Sequence, residues 1–192
     1  YNKTKSELEN LKQKQLTDDF LKIENKKLRS LIDENIKSSE IFARVIIDKE
    51  SPYLKSVVLN KGSRDNVKLG MAVLDQSYLV GKIVEVNYST SRVLLVSDLN
   101  SKIPVGIEPG NIQSILSGTG RINGKIEYLE TDILIEDKSI VYTSGSGGLF
   151  KPGIPIGTYH KETEESYEIV NFFSKLSQLN FVKLVSFEED NK

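Results

Sequence analysis

The segment of this chain that most suggests catalysis or anion binding is a stretch rich in glycine and proline. Residues 143–157 read TSGSGGLFKPGIPIG, with five of the thirteen glycines and two of the five prolines of the chain. Ser146 stands within Gly-Ser-Gly-Gly, a setting that could present a serine nucleophile or cradle a phosphate. A nucleophilic serine needs a base within hydrogen-bond reach and a third group that orients the base, so the rest of the chain decides between these possibilities.

The residue order argues against catalysis by Ser146. The only histidine, His160, follows the serine, whereas β-barrel proteases of the chymotrypsin type order their triad as His, Asp, Ser. The nucleophile-elbow pattern GxSxG fails as well, because Ser144 stands where its first glycine should be. A lysine base stays open, since any lysine could approach Ser146 in the fold. We predict no catalytic residue and, with one histidine and no cysteine, no metal site and no cofactor.

A phosphate cradle is disfavoured by the segment after the glycines. Such loops lead into a helix whose N-terminus meets the anion, but here Phe150 and two prolines precede a strand-like segment. Successive glycines permit positive φ, and proline fixes φ and removes a hydrogen-bond donor. The stretch is therefore predicted to be a structural turn-and-strand motif, defined by Gly145, Gly147, Gly148, Pro152, Gly153, Pro155 and Gly157.

Charge and hydropathy narrow the class of protein. There are 26 Lys and Arg against 27 Asp and Glu, a balance that argues against a nucleic-acid partner. We interpret the acidic clusters at residues 162–165 and 188–190 as solvated surface. The sequence contains no apolar run of about 18 residues, so we predict no membrane-spanning helix within it. Because Tyr1 opens directly into a helical pattern, we expect a fragment of a longer protein whose upstream part is missing.

The first predicted element is a long polar helix. Residues 1–40 contain no glycine or proline and would span about 60 Å as a helix. So polar a helix needs a partner, and an imperfect heptad frame favours a parallel dimeric coiled coil. A solvated single helix or a disordered linker is the alternative. The predicted dimer seam contains Leu21, Asn25, Leu28 and Ile32.

From residue 41 the apolar pattern changes to period two, which predicts twelve short strands and no further helix. The predicted strands are Phe42–Asp48, Ser56–Asn60, Met71–Leu74, Tyr78–Asn87, Ser91–Ser97, Lys102–Glu108, Ile112–Leu116, Lys125–Glu130, Ser139–Thr143, Ile154–His160, Tyr167–Phe173 and Phe181–Phe187. This spacing is typical of one large sandwich or two small barrels. We expect one domain over residues 41–100 and another over residues 101–192, although the last strand could return to the first domain.

Three further segments add to the pattern of residues 143–157. Residues 24–32 read ENKKLRSLI, residues 61–71 read KGSRDNVKLGM and residues 79–83 read LVGKI. Together the four segments resemble the MreC family of bacterial rod shape-determining proteins, over nearly the whole chain. Asn66 replaces the family's usual glycine, and Lys151 is inserted before the first proline of the turn. The matching positions of the first β domain are Gly62, Asp65, Gly70 and Gly81.

The resemblance implies a mainly β protein in which a long N-terminal coiled-coil helix precedes two small six-stranded β-barrels. It implies a non-catalytic scaffold of the cell-elongation machinery at the periplasmic face of the bacterial inner membrane, anchored by an N-terminal membrane helix. The implied partners are further copies of the chain, as a dimer or filament, the elongation penicillin-binding transpeptidase, MreD, RodA and, indirectly, MreB. The barrels would offer sheet edges and apolar patches to these partners.

Two other classes of protein stay open. A trypsin-like serine hydrolase would use Ser146, and labelling of this serine by a fluorophosphonate probe would favour that class. A periplasmic adaptor of an efflux or secretion system also joins a coiled coil to β domains. Its chain usually runs up and back along a helical hairpin, whereas here the helical pattern passes once, which favours the scaffold.

Overall fold

The computed structural model describes residues 7, 11–12, 14–15, 17–23, 36–50, 55–110, 112–129, 134–161 and 168–189 of the chain. The chain divides into two units, one of Tyr1–Ser38 with Glu188–Lys192 and one of Ser39–Phe187. The larger unit contains nearly all of the β structure and is described first.

The described residues form twelve strands and three one-turn 3₁₀ helices. The strands are β1 (Ile36–Glu50), β2 (Lys55–Leu59), β3 (Ala72–Asp75), β4 (Tyr78–Val86), β5 (Ser91–Leu95), β6 (Lys102–Glu108), β7 (Ile112–Gly118), β8 (Asn123–Glu127), β9 (Ile140–Thr143), β10 (Pro155–Lys161), β11 (Glu168–Phe172) and β12 (Phe181–Glu189). The 3₁₀ helices are Ser63–Asp65, Ser146–Gly148 and Leu176–Gln178. Each predicted strand overlaps one of these strands, so the mainly β fold is confirmed.

The strands close into two six-stranded barrels. The strand order is β1-β12-β3-β4-β5-β2 in the first barrel and β10-β11-β8-β7-β6-β9 in the second. Paired neighbours run antiparallel; Val57 lies opposite Val93 in the first barrel, and Leu116 lies opposite Ile126 in the second. The structure therefore confirms two small barrels rather than one large sandwich.

The chain crosses between the barrels twice. It leaves the first barrel after β5 and enters the second at β6, and it returns after β11 so that β12 lies between β1 and β3. A cut of the chain at residue 100 therefore does not separate the barrels. A barrel closes where strand edges meet in space, so its last strand can come from a distant part of the sequence.

Apolar side chains at alternate strand positions fill both barrels. In β5, for example, Val93 and Leu95 are buried while the residue between them is half-buried. The core of the second barrel continues into the first, because it also takes in Ala72, Leu74, Leu79, Val96 and Val185. The rings of Tyr78 and Phe173, at 4.9 Å between centroids, add an aromatic contact. The two barrels are therefore packed against each other through a continuous apolar core.

The N-terminal region differs from the prediction at its end. Residues 17–23 are helical, and Leu21 is exposed within them. However, β1 begins at Ile36, so the predicted helix over residues 1–40 is wrong for its last five residues. Strand β1 lies beside β12, which is supplied by the other end of the chain, and this distant partner overrides the local helical pattern. Asn25, Leu28 and Ile32 lie outside the described residues, so the coiled-coil dimer stays a prediction.

Candidate functional site

Thr143 organises the glycine- and proline-rich turn, residues 143–157. Its hydroxyl donates to the Lys151 carbonyl at 2.6 Å and accepts the Ile154 N–H at 2.9 Å. Its backbone N–H donates to the Ile154 carbonyl at 2.9 Å, and its carbonyl accepts the Gly153 N–H at 2.8 Å. Since Thr143 is buried, these four bonds close the turn back onto the end of β9.

Apolar side chains fasten the same turn to the second barrel. Phe150, Ile154 and Ile156 are buried in its core, on either side of Pro152 and Pro155. Pro155 begins β10 opposite Tyr142 of β9. The turn is therefore an integral part of the second barrel.

Glycine is required in this motif for two different reasons. Gly148 has a φ of +65°, in the left-handed region that residues with a Cβ rarely adopt. A Cβ on Gly157 would instead collide with the carbonyl oxygen of Asn171 on the neighbouring strand. Positive φ angles also occur in this motif at Gly145 (+78°), Gly147 (+74°) and Gly153 (+85°), and in the first-barrel motif at Gly70 (+82°). These positions fit the structural role predicted for the motif, and its energetic importance stays a prediction.

Ser146 has no general base beside it in the described part of the chain. Its side chain is exposed, its N–H donates to the Ser144 hydroxyl at 3.2 Å, and within the described residues no base hydrogen bonds to its hydroxyl. His160 is engaged elsewhere, with Nδ1 at 3.0 Å from Asp137 Oδ1 and Nε2 at 3.2 Å from Thr158 Oγ1. The hydrolase alternative therefore finds no support in the described part of the chain.

The motif of the first barrel, residues 61–71, is built around Asp65. Its carboxylate accepts from Lys61 Nζ at 2.9 Å and from the Gly62 N–H at 3.2 Å. The hydrogen bond from Lys61, followed by that from Gly62, lowers the pKa of the Asp65 carboxyl below its ordinary value. Asn66 then adopts a φ of 64°, which agrees with its place in the position of a family glycine.

Two glycines of the first barrel allow close backbone approach. A Cβ on Gly62 would collide with the carbonyl oxygen of Asn87, and one on Gly81 would collide with that of Leu94. These are the positions that the sequence singled out in residues 61–71 and 79–83.

The sequence reasoning missed Asp98, which lies in the connection from β5 to β6. Its side chain is fully buried and accepts the Lys55 N–H at 2.6 Å, as well as the backbone N–H and side-chain amide of Asn100 at 2.8 and 3.0 Å. The Asp98 carbonyl also lies against Gly118 of β7, where a Cβ would collide with it. Asp98 thus ties β2 of the first barrel to the start of the second. A single aspartate in a turn-like segment carries no sequence signal that would have revealed this role.

The remaining candidate residues form no site in the described structure. Glu162, Glu164, Glu165 and Asp190 lie outside the described residues. Among the residues described, no group of three or more His, Cys, Asp or Glu side chains could hold a metal ion. The helices in that part of the chain are also too short or too polar to cross a bilayer.

Two closed barrels that share an apolar core, with motifs that shape the backbone, define a two-barrel β protein. A family model described as the rod shape-determining protein MreC, barrel core, matches residues 45–186. The chain belongs to the MreC family. It is 34% identical over 147 residues to the cell shape-determining protein MreC of Caulobacter vibrioides, a match that covers 77% of this chain and 42% of that protein. The chain thus spans less than half of the length of this relative.

Solved structures show the same fold. MreC from Listeria monocytogenes superposes with a TM-score of 0.74 at 29% identity, covering 98% of this chain and 96% of that one. A structure described as the major periplasmic domain from the cell shape-determining filament MreC has a TM-score of 0.69 at 22% identity, covering 79% and 100%. MreC in a complex with penicillin-binding protein PBP2 from Helicobacter pylori has a TM-score of 0.58 at 19% identity, covering 78% and 99%. At these last two identities the likeness shows the fold alone.

Proposed function

We propose that this chain is a non-catalytic scaffold of the cell-elongation machinery, which associates with itself and binds peptidoglycan-synthesis proteins to maintain rod shape. The observation that carries this proposal is the match of the MreC barrel core to residues 45–186, which include most of both barrels. The turn at residues 143–157 supports it as well. Thr143 hydrogen bonds to Lys151 and Phe150 is buried in the core, so the motif serves the structure of the second barrel.

The elongation transpeptidase is the first proposed partner. A protein of the same fold from Helicobacter pylori is found in a complex with penicillin-binding protein PBP2. MreD and RodA are the proposed membrane partners, and MreB is an indirect one. The periplasmic face of the inner membrane is the proposed location, supported by the likeness to a periplasmic MreC domain.

Binding through the barrels has to use side chains. The expectation of free sheet edges is wrong for the described barrels, because both are closed and closure removes the edges. Exposed apolar side chains are available instead, such as Phe42 and Phe181 on the first barrel and Leu134 on the second-barrel portion of the chain. A partner could dock on such side chains without adding a strand.

The proposal is tested by direct binding to the elongation transpeptidase of the same organism. The purified chain is titrated onto the immobilised transpeptidase ectodomain, and saturable binding is expected at concentrations up to about 100 µM. Phe42→Glu with Phe181→Glu is compared with Leu134→Glu, so that loss of binding in one variant assigns the contact to one barrel. An absence of saturable binding by the wild-type chain would contradict the transpeptidase partnership.

A cell assay separates the scaffold from a hydrolase. Cells whose own gene is replaced by the full-length gene with Ser146→Ala are expected to keep a normal ratio of length to width, because Ser146 has no catalytic partner in the described structure. The unmodified gene, expressed at the same level, is the control. Rounded cells at an equal protein level would favour the hydrolase.

A further inference from the structure

A groove of about 450 Å³ opens where the two barrels meet. The first barrel contributes Lys55, at the start of β2, and the end of β5 with Ser97. The second contributes the β7–β8 turn at residues 120–122 and the end of β11 at Asn171 and Phe172, and the connection from β11 to β12 at residues 174–177 completes the wall. We call it the inter-barrel groove. Small-molecule sites typically occupy about 300–1,000 Å³ and favour such interfaces.

The charged side chains that line the inter-barrel groove in the described structure are all basic. They are Lys55, Arg121 and Lys175, and no carboxylate accompanies them among the described lining residues. Arg121 and Lys175 have no ion-pair partner among the described residues. Uncompensated positive charge on one concave surface attracts an anion.

The groove also contains side chains that can donate hydrogen bonds. Ser97, Ser174 and Ser177 contribute hydroxyl groups, and Asn171 contributes an amide. Ser174 is 8% exposed, and its buried hydroxyl has no hydrogen-bond partner within the described structure. A buried polar group without a partner costs stability, and this hydroxyl lies just beneath the surface of the groove.

Apolar side chains form the rest of the wall. Leu95, Ile122, Phe172 and Leu176 all line the groove, and Ile122 is 88% exposed. An exposed isoleucine beside basic groups suits a ligand that is charged at one end and apolar at the other.

We propose that the inter-barrel groove binds a ligand that carries a phosphate group followed by a short apolar group. Phosphate fits better than carboxylate because it brings up to two negative charges and three acceptor oxygens to Arg121, Lys175 and the hydroxyl groups. The apolar part of the ligand covers Ile122 and Phe172. Arg121, Ile122 and Phe172 belong to the second barrel and Lys175 to the connection that leads into β12, so the ligand would lie on the second-barrel side of the groove.

Calorimetric titration of the full chain with hexyl phosphate tests this site. Saturable binding is expected, at least tenfold tighter than that of inorganic phosphate, which lacks the apolar part, or of hexanol, which lacks the charge. The melting temperature should rise with hexyl phosphate concentration, since a ligand that binds the folded state stabilises it. An absence of saturable binding at millimolar hexyl phosphate would overturn the proposal.

Substitution of the two basic residues locates the site. Arg121→Gln with Lys175→Gln should weaken hexyl phosphate binding at least tenfold and leave the melting temperature of the unliganded chain unchanged, because both side chains are exposed. Lys12→Gln with Lys14→Gln removes the same charge from exposed positions outside the groove and should change nothing. Equal affinity in the groove variant, or an equal loss in the control, would refute this location.

Vesicles distinguish the two sources of such a phosphate. Flotation with phosphatidic-acid vesicles, compared with phosphatidylcholine vesicles, asks whether the chain takes its phosphate from a lipid headgroup. Co-flotation that depends on Arg121 and Lys175 supports the site with a lipid ligand. Binding of hexyl phosphate without co-flotation supports the site with a soluble phosphate ester. Co-flotation that both charge variants retain, together with unchanged hexyl phosphate affinity in the groove variant, counts against the site.

Discussion

Asp98 and Thr143 each use a buried side-chain oxygen to hold backbone segments that would otherwise leave N–H groups without partners. Asp98 accepts from Lys55 and Asn100, and Thr143 accepts from Ile154 while donating to Lys151. Buried polar groups stabilise a fold only when their partners are all present. At the residue scale, the chemistry of these two side chains is therefore structural support of the backbone.

Asp98→Ala is expected to lower the free energy of unfolding by about 1–3 kcal/mol, because the Lys55 N–H loses its acceptor in a buried setting. Asp98→Asn keeps one acceptor oxygen and should cost less. Urea denaturation measures both variants, with Asp75→Ala at the half-buried end of β3 as the control. An Asp98→Ala variant as stable as the control would show that the carboxylate does not hold the junction.

The turn at residues 143–157 illustrates how an element is specified by its backbone. Its bonds run from Thr143 to Gly153 and Ile154, and its chain direction depends on several positive φ angles. Space around Gly148 is open, so a Cβ there would meet no atom within 4 Å. At Gly148 the cost of substitution therefore arises from backbone conformation and not from crowding.

Gly148→Val is therefore expected to lower the free energy of unfolding by about 1–3 kcal/mol, since a β-branched residue is strained at a φ of +65°. Ser146→Val places the same side chain at an exposed position of the same turn without a positive φ, and it should be nearly neutral. Thermal unfolding followed by circular dichroism compares the two. Equal melting temperatures would show that the turn relaxes around the valine.

At the scale of the whole molecule, the two barrels depend on each other. Strand β12 closes the first barrel after the chain has formed the second, and the core of the second barrel extends to Val96 and Val185. The barrels should therefore unfold as one cooperative unit. Association of whole chains is a separate question, and its predicted location is the N-terminal segment.

The double substitution Leu21→Asp with Leu28→Asp is expected to dissociate the predicted dimer and so to halve the sedimenting mass, because each chain would bring two charges into the seam. Gln13→Asp with Ser30→Asp adds the same charges at heptad positions outside the seam and should leave the dimer intact. Sedimentation velocity measures the mass of each. A dimer that survives the leucine substitutions would place the contact elsewhere.

Local patterns of the sequence were enough to predict the strands and the turn at residues 143–157, because alternation of apolar residues and turn-forming residues can be seen along the chain. The order of Ser146 and His160 was likewise enough to argue against a catalytic serine. The folded arrangement was needed to show that β1 begins at Ile36 and that β12 returns to the first barrel. It was also needed to show that Asp98 joins the barrels and that Arg121 and Lys175 line one groove. Barrel closure pairs backbone groups that are far apart in sequence, and no local pattern encodes which distant strand supplies the partner.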